Sequence, residues 1–333
     1  MKGRLEDGVV RLGRDGTTLY EQSGYGRPGR DGLTLSPVEA LYLVHRGRIE
    51  IPGHSFESLL DLYSVDGHFL RTYLVYRDLR ERGYVVQTGP HDFRVFRRGQ
   101  KPGSGQSQYM VRVLSERDPI EFGRLVTEAR STANMRKSHL LAVVDDEDEL
   151  TYYEVKLPGL PEREAVPVEG CVVGRRFGWA VIAGEESGAV LQKAGYGTRV
   201  DDRRLKLAPV EALFLLEKGV LRLEKENSPI DDYRTTINEI DPEAPEKTAV
   251  YTQLRDRGYV PRTGYKFGHH YRVYVIGRTH SEMLVHALPE GAFLPMSVIS
   301  RSVRLAHSVK KKMLFGCQHS EGIFYVEFAR VKL

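Results

Sequence analysis

The segment LSPVEALYLVHRG, residues 35–47, has a second copy in this chain: LAPVEALFLLEKG, residues 207–219, at an offset of 172 residues. Another pair of segments, YRDLRERGYVVQTG and YTQLRDRGYVPRTG, aligns Gly83 with Gly258 at an offset of 175 residues. Ordered blocks at a nearly constant offset indicate internal duplication. Because two such units are too long and too few for a solenoid, the pattern predicts a duplicated domain.

The repeated segments contain signals for both helices and strands. Ser36 can cap a helix that has Pro37 in its first position and Glu39 as the capping-box partner. The segments TYLVYRDLRERG and TAVYTQLRDRG also predict helices, since each ends in a glycine after basic residues. DFRVF and HYRVY alternate as strands do. The sequence therefore predicts a mixed α/β fold in tandem duplication.

The end of the second copy predicts one more helix and a hairpin. Val298, Ser302, Leu305 and Val309 have the spacing of the buried line of a helix. The segments KMLFGC and GIFYVEF, which follow it, are rich in β-forming residues and predict paired strands.

The segment LPGLPEREAVPVEG, residues 157–170, separates the two copies. Its prolines at positions 158, 161 and 167 oppose regular structure. We predict a first repeat at residues 1–165 and a second at residues 166–333, each long enough to bury its own core.

Composition narrows the class of protein. The chain is 41% hydrophobic and 28% charged, as ordinary globular proteins are, and no run approaches the ~18 apolar residues of a membrane span. Its two cysteines, Cys171 and Cys317, are too few for a disulfide framework and lack metal-site spacing. We expect a cytoplasmic protein without membrane contact. The net charge of +4 is too small to identify a polyanionic partner by itself.

Three ionisable residues of the second copy form a candidate active site. Tyr274 ends the predicted strand HYRVY, His280 follows a short loop, and Lys311 lies between the last helix and the next strand. The first copy has Phe96 and Gln106 where the second has Tyr274 and His280. Side chains at strand ends and in loops can converge on one site when a rigid sheet carries them.

Tyrosine, histidine and lysine together suit cleavage of RNA without a metal. The 2′-hydroxyl must lose a proton to attack phosphorus, and the leaving 5′-oxygen must gain one. A histidine can donate that proton at neutral pH, and a lysine adds fixed positive charge. Tyrosine, with an ordinary pKa of ~10, is a poor base unless a nearby ammonium lowers this value.

The segments RTGYKFGHHYRVY, HSEMLV, RLAHSVKKKMLF and FARVKL resemble the archaeal tRNA-splicing endonucleases in their homodimeric, two-repeat form. The resemblance covers nearly the whole chain. It implies that Tyr274 is the general base, His280 the general acid, and Lys311 the group that stabilises the transition state. The loop VIGRT, residues 275–279, is shorter than is usual in this family.

The resemblance also implies the reaction and the fold. The reaction is that of an RNA-cleaving lyase: precursor tRNA is cut at bulge-helix-bulge junctions without a cofactor, leaving 2′,3′-cyclic phosphate and 5′-hydroxyl ends. Arg304 and Arg330 match two arginines that sandwich a flipped bulge base. Each repeat is expected to have a small mixed α/β N-terminal part and a restriction-endonuclease-like α/β C-terminal part. The nuclease part of the second repeat would lie at about residues 260–333.

The first repeat is interpreted as catalytically degenerate, with an acidic loop of its own. Either Lys137 or Ser138 matches Lys311, so the loss of all three groups does not follow. Its loop carries five consecutive acidic residues: Asp145, Asp146, Glu147, Asp148 and Glu149. The resemblance implies that this loop docks into a basic pocket of a partner chain, giving a homodimer of four pseudo-subunits, and complementary charge of this kind fixes register.

Two other functions stay open at this point. Asp145, Asp146, Glu154 and Lys156 resemble the carboxylate-plus-lysine set of a metal-dependent nuclease of restriction-endonuclease type. A non-catalytic subunit that binds structured RNA is the other alternative, because residues 299–313 contain five basic residues and no acidic one. The remaining histidines show no metal spacing and are interpreted as structural: His269, His270, His286 and His307.

Overall fold

A computed structural model describes residues 1–65, 67–224 and 230–333. The strands are β1 (Gly3–Glu6), β2 (Val9–Leu12), β3 (Arg27–Gly29), β4 (Gly32–Leu35), β5 (Val86–Thr88), β6 (Phe93–Phe96), β7 (Ser107–Ser115), β8 (Pro119–Glu121), β9 (Ser138–Val144), β10 (Leu150–Lys156), β11 (Val172–Phe177), β12 (Ala180–Ala183), β13 (Thr198–Arg199), β14 (Leu205–Leu207), β15 (Leu221–Leu223), β16 (Tyr259–Thr263), β17 (Tyr271–Val275), β18 (Met283–Leu288), β19 (Phe293–Pro295), β20 (Lys312–His319) and β21 (Gly322–Val331). The helices are α1 (Thr17–Ser23), α2 (Pro37–His45), α3 (Phe56–Tyr63), α4 (Gly67–Glu81), α5 (Phe122–Asn134), α6 (Glu185–Lys193), α7 (Pro209–Glu217), α8 (Ile230–Ile240), α9 (Ala244–Asp256) and α10 (Met296–Ser308).

The chain forms two compact units. The first contains Met1–Lys156, Phe293–Ser300 and Phe328–Leu333, and the second contains Leu157–Ala292 and Arg301–Glu327. The division of the sequence at residues 165 and 166 stays a prediction.

The first unit has two main sheets. One is antiparallel with the strand order β1-β2-β4-β3, and the other has the order β10-β9-β7-β6-β5, in which β7 and β9 are parallel. The chain passes through α5 between β7 and β9, as a parallel connection requires. Buried residues such as Leu41, Tyr76 and Phe93 fill its core.

The second unit repeats this plan. One sheet has the order β13-β14-β12-β11-β15, and the other has β16-β17-β18-β20 followed by β21, with β18 and β20 parallel. The chain passes through α10 between these two parallel strands. Leu213, Tyr251 and Val285 belong to its buried core. The mixed α/β fold in tandem duplication is therefore confirmed.

The duplication extends to one buried carboxylate in each copy. The Glu39 carboxylate accepts hydrogen bonds from Ser36 N (2.9 Å) and from Gly26 N (2.8 Å). In the second unit, Glu211 accepts from Ala208 N (2.9 Å) and from the nitrogen of Gly197 (3.3 Å). The glutamate therefore caps the helix and also fixes an adjacent glycine loop, which explains the predicted capping box.

The last helix forms where it was predicted, but its buried line differs. Ile299, Ser302 and Ala306 are buried on α10, whereas Leu305 is 38% exposed. The prediction that Leu305 faces the core was wrong, because the helix is rotated so that its buried face passes through Ala306 instead. β20 and β21 form the predicted antiparallel hairpin. Residues 157–170 contain neither helix nor strand, as their prolines indicate.

No helix within the described residues is both long enough and apolar enough to span a membrane.

Candidate active site

The position of Lys311 follows from the way α10 ends. Lys310 has the left-handed backbone conformation (φ 54°), and the nitrogen of Lys311 donates to the carbonyl of Ala306 over 2.8 Å. These features close the helix and turn the chain into β20, which begins one residue later. Lys311 therefore stands directly before β20, which pairs with β18 on one side and β21 on the other.

His280 lies on a short loop that is anchored at both ends. The nitrogen of Arg278 donates to the carbonyl of Val275 (3.0 Å), and Gly277 has φ 79°, so VIGRT begins as a tight turn. On the far side, the nitrogen of Glu282 donates to the carbonyl of Val273 (2.9 Å). The exposed His280 side chain is thus presented from a loop of restricted freedom.

The structure brings His280 and Lys311 together. Both line one cavity of about 1230 Å³. The Lys311 ammonium donates to the carbonyl oxygen of Ser281 over 2.9 Å, so it is tied to the residue directly after His280. An ammonium has three donors, which leaves two for a substrate oxygen.

Tyr274 occupies the neighbouring strand. Tyr271 and Val273 on β17 are buried in the core of the unit, so strand alternation directs Arg272 and Tyr274 to the opposite face. The Tyr274 ring is partly exposed, with the Arg272 guanidinium 5.7 Å from its centroid. Among the described residues, Tyr274 is not part of the lining of the His280 cavity.

The cavity carries an excess of positive charge. Its basic side chains, besides the two histidines His280 and His307, are Arg163, Arg278, Lys310, Lys311 and Lys312. Its carboxylates are Glu282 and Glu327, and the latter lies 3.6 Å from the Lys312 ammonium. Such a charge balance attracts phosphate groups. Sequence reasoning missed Arg163 and Arg278, because nothing in the local pattern indicates that these loop residues reach the cavity.

The two arginines expected to bind a bulge base are both exposed. Arg304 lies on α10 within the second unit, and Arg330 lies near the end of β21 within the first. Arg304 is not among the described residues that line the cavity. Base binding by either arginine stays a prediction.

The acidic segment forms the turn between β9 and β10. The Asp145 carboxylate accepts hydrogen bonds from Glu147 N (3.0 Å) and Glu149 N (2.9 Å), and Asp148 has a left-handed conformation (φ 62°). Asp146 forms an ion pair with Arg117. Asp145 thus shapes the turn, while the side chains of Glu147, Asp148 and Glu149 are left exposed.

The residues of the metal-nuclease alternative are engaged in local contacts. The Lys156 ammonium lies 3.1 Å from Glu154, and Asp145 is occupied by the turn. Within residues 1–65, 67–224 and 230–333, no cluster of three or more His, Cys, Asp or Glu side chains is arranged to hold a metal ion.

A second cavity of about 660 Å³ in this unit is lined by His269, His270 and His286. Burial lowers the pKa of His269, His270 and His286 to about 4 in each case, with repulsion by neighbouring positive charge adding to the effect. The rings of His270 and His286 stack with centroids 4.1 Å apart, and the ring of His270 lies 3.4 Å from the Glu243 carboxylate. These contacts support the structural interpretation of the three histidines.

Two family models match segments of this sequence. The model described as "tRNA intron endonuclease, catalytic C-terminal domain" matches residues 69–152 and 245–325. The model described as "tRNA intron endonuclease, N-terminal domain" matches residues 1–63 and 177–235.

The chain belongs to the tRNA intron endonuclease family.

Full-length relatives agree with the family assignment. The chain is similar to the tRNA-splicing endonuclease of Methanococcoides burtonii, with 39% identity over 95% of both chains. It is also 38% identical to the tRNA-splicing endonuclease of Methanosarcina acetivorans over all of both chains. A third relative, the tRNA-splicing endonuclease of Natronomonas pharaonis, is 35% identical over 95% of this chain and 94% of its own.

Both copies of the chain match the family's catalytic domain. The second match, residues 245–325, contains Tyr274, His280 and Lys311. The first, residues 69–152, contains Phe96 and Gln106 at the aligned positions. Membership in the tRNA intron endonuclease family therefore agrees with one copy that retains the candidate groups and one that lacks two of them.

Proposed function

We propose that this protein is a tRNA-splicing endonuclease that cuts precursor tRNA at the bulge-helix-bulge junctions of an intron. The observation that carries the proposal is the meeting of His280 and Lys311 in one basic cavity, inside the second match to the family's catalytic domain. Cys171 and Cys317 are not joined in a disulfide, which supports a reducing cytoplasm as the location of the protein.

The reaction is an intramolecular transesterification. The 2′-oxygen forms a bond to the adjacent phosphorus while the bond from phosphorus to the 5′-oxygen breaks. Tyr274, as a phenolate, takes the proton of the 2′-hydroxyl, and His280, as an imidazolium, gives its proton to the leaving 5′-oxygen. The products are a 2′,3′-cyclic phosphate and a 5′-hydroxyl.

Lys311 stabilises the charge that builds up on the phosphorane. Its ammonium is held by the Ser281 carbonyl (2.9 Å), so it is oriented before the substrate binds. A fixed positive charge of this kind lowers the barrier most when it needs no rearrangement during the reaction. The same hydrogen bond ties Lys311 to the loop that carries His280, so the acid and the electrostatic group are held close to each other.

The test is cleavage of an intron-containing precursor tRNA in excess EDTA. We expect two cuts, with cyclic phosphate on the 5′ fragments and hydroxyl groups on the 3′ fragments. Loss of cleavage in EDTA, restored by Mg²⁺, would favour the metal-dependent alternative. Binding without cleavage under either condition would favour a non-catalytic RNA-binding subunit.

We further propose a homodimer in which the acidic turn docks on the partner. The exposed carboxylates of Glu147, Asp148 and Glu149 are available for this, because they are not used to build the turn as Asp145 is. Charge complementarity of this kind selects the partner and the register.

Light scattering tests the dimer. Neutralising Glu147, Asp148 and Glu149 together is expected to shift a dimer of about twice the chain mass toward monomers at micromolar concentration. The control neutralises three exposed acids elsewhere: Glu186, Asp202 and Glu290. An equal shift in both variants, or in neither, contradicts docking by the turn.

A further inference from the structure

The segment that joins the two repeats forms one wall of the active-site cavity. The residues of this linker that line the cavity are Pro158, Gly159, Leu160, Pro161 and Arg163. They face the same space as His280 and Lys311. A linker that only connected the two repeats would not need to line this cavity. The contacts of the linker show whether its position is fixed.

Three contacts attach the linker to the second unit. The nitrogen of Arg163 donates to the carbonyl of Arg257 over 2.8 Å, and the Arg257 guanidinium donates to the carbonyl of Leu160. The Leu160 side chain is 7% exposed and packs in the core of this unit. Backbone and side chain are thus both fixed, and the prolines at 158 and 161 reduce the freedom of the unbound segment.

A pair of equivalent glycines shows that the covering is specific to the second unit. A Cβ atom on Gly258 would lie 2.1 Å from the Arg163 carbonyl oxygen, so the linker can pass only because this residue is glycine. The aligned Gly83 has nearly the same backbone conformation (φ 86° against 80°), and a Cβ there would meet nothing within 4 Å. Among the described residues, no segment passes over Gly83 as the linker passes over Gly258.

The linker places the guanidinium of Arg163 at the cavity. Its Cζ lies 5.9 Å from the ring centroid of Tyr259, a buried residue that also lines the cavity. In the part of the chain that the structure describes, no carboxylate lies within salt-bridge distance of this guanidinium. The side chain is exposed, and its positive charge is free to meet an anion.

We infer that Arg163 binds a phosphate of the RNA beside the scissile bond, and that the linker is a wall of the RNA-binding groove. The inference rests on the proposed function, because the phosphate belongs to its substrate. A guanidinium presents paired donors that match phosphate oxygens. Arg163 lines the same cavity as Lys310, Lys311 and Lys312, so two separate segments of the chain supply positive charge to it.

The first experiment measures binding apart from cleavage. The probe is a bulge-helix-bulge RNA with 2′-deoxy substitutions at both scissile positions, so it cannot be cut. We expect Arg163→Gln to weaken binding about tenfold, the usual cost of losing one charged hydrogen bond. The slope of log affinity against log salt should fall by roughly 0.7–0.9, as for one phosphate contact. Arg222→Gln, an exposed arginine on β15 outside the cavity, is the control and should change neither quantity.

A pair of glycine variants tests the wall itself. Gly258→Ala and Gly83→Ala remove the same left-handed freedom, but only the first collides with the linker. Gly258→Ala should weaken RNA binding about as much as Arg163→Gln does, and combining the two should add little. Gly83→Ala should bind like the wild type.

The outcomes separate this inference from the proposed function. If the wild type cleaves the unmodified RNA in EDTA but Arg163→Gln keeps its affinity and salt slope, the inference is overturned and the function stands. If the wild type binds the uncleavable RNA but does not cut the unmodified one, the function fails while the Arg163 contact is still measured. Absence of specific binding by the wild type overturns both.

Discussion

The two units differ less at their active-site positions than their sequences suggest. In the first unit β7 and β9 pair Tyr109 with Ser138, and in the second β18 and β20 pair Met283 with Lys312. Tyr109 also pairs with Val95, as Met283 does with Val273, so the registers correspond. Ser138 therefore matches Lys312, which leaves Lys137 as the equivalent of Lys311.

The helix ends give the same alignment. Arg136 and Lys310 both have left-handed conformations (φ 56° and 54°). The nitrogen of Lys137 donates to Thr132 O over 3.1 Å, as that of Lys311 does to Ala306 O over 2.8 Å. The first unit has therefore kept the lysine and lost the other two groups.

The retained lysine and the two replaced groups differ in how much the fold itself depends on them. A positive charge directly after the C-terminal end of a helix interacts favourably with the helix dipole, so this lysine has a structural reason to persist. Phe96 is 7% exposed and packs in place of the partly exposed Tyr274, while Gln106 is exposed. In the first unit one proton-transfer group is thus replaced by a buried apolar ring and the other by an exposed polar side chain.

The largest expected effect is on the cleavage rate, in a comparison of variants at His280 and at its counterpart Gln106. His280→Ala should reduce single-turnover cleavage by about 10² to 10⁴, the range for a general acid, while RNA binding persists. Gln106→Ala should cleave like the wild type. Comparable losses in both variants would mean that the first unit also performs proton transfer.

The next comparison uses the two matched lysines. Lys311→Ala should lower the cleavage rate at saturating enzyme by about 10² to 10³, the cost of removing one electrostatic group from a transition state. Lys137→Ala should leave the rate unchanged. A Lys137→Ala variant as slow as Lys311→Ala would show that the aligned lysine still acts on RNA.

A smaller effect is expected for the exposed arginine of α10. Arg304→Ala should cost about tenfold to a hundredfold in binding of a bulged RNA, because stacking on one base contributes ~1–3 kcal/mol. Its counterpart on α5 by the same register is Arg130, and Arg130→Ala should bind normally. If the wild type prefers bulged RNA and Arg304→Ala binds bulged and fully paired RNA equally well, Arg304 is the residue that recognises the bulge.

The units should also differ in sensitivity to acid. Burial lowers the pKa of His269, His270 and His286 to about 4 in the second unit, and the pKa of His139 to about 4 in the first. Since these values lie below the unfolded value of ~6.5, the unfolded state binds protons first as the pH falls. The stability that these neutral, buried histidines contribute is fully present above pH ~6.5 and is lost progressively as the pH falls toward ~4.

Hydrogen exchange can measure this contrast. At pH 5.5 each such histidine should lower the free energy of opening by up to about 1.4 kcal/mol, a factor of about ten. After correction for intrinsic rates, protection in β17 and β18 should fall more than in β6 and β7 between pH 7 and pH 5.5. Equal losses in both units would contradict the burial of the three imidazoles.

Local signals made much of the fold predictable. The capping box around Glu39, the glycines that end α4 and α9, and the final hairpin depend on neighbours in sequence, so the pattern alone indicates them. The prediction that failed, a core-facing Leu305, concerns the rotation of α10, which packing of the whole helix decides.

The site was predictable only in part, for a related reason. The duplication indicates which residues of the second unit have been replaced in the first, and this singles out Tyr274 and His280. The match of Lys311 to Lys137 needs strand register, which the sequence does not contain. The approach of Arg163 to the cavity depends on a linker without periodic structure, which gives no pattern to interpret.

The contact between the linker and Gly258 has a consequence for dividing this chain into two polypeptides. A break after Lys156 leaves the linker over Gly258 with the catalytic half, as the first residues of a separate subunit. A break after Ala165 instead places the linker at the end of the other polypeptide. The catalytic half then lacks the linker residues that line its active-site cavity. Of two heterodimers differing by nine residues at the cut, the one divided after Lys156 is the one that should retain tight RNA binding.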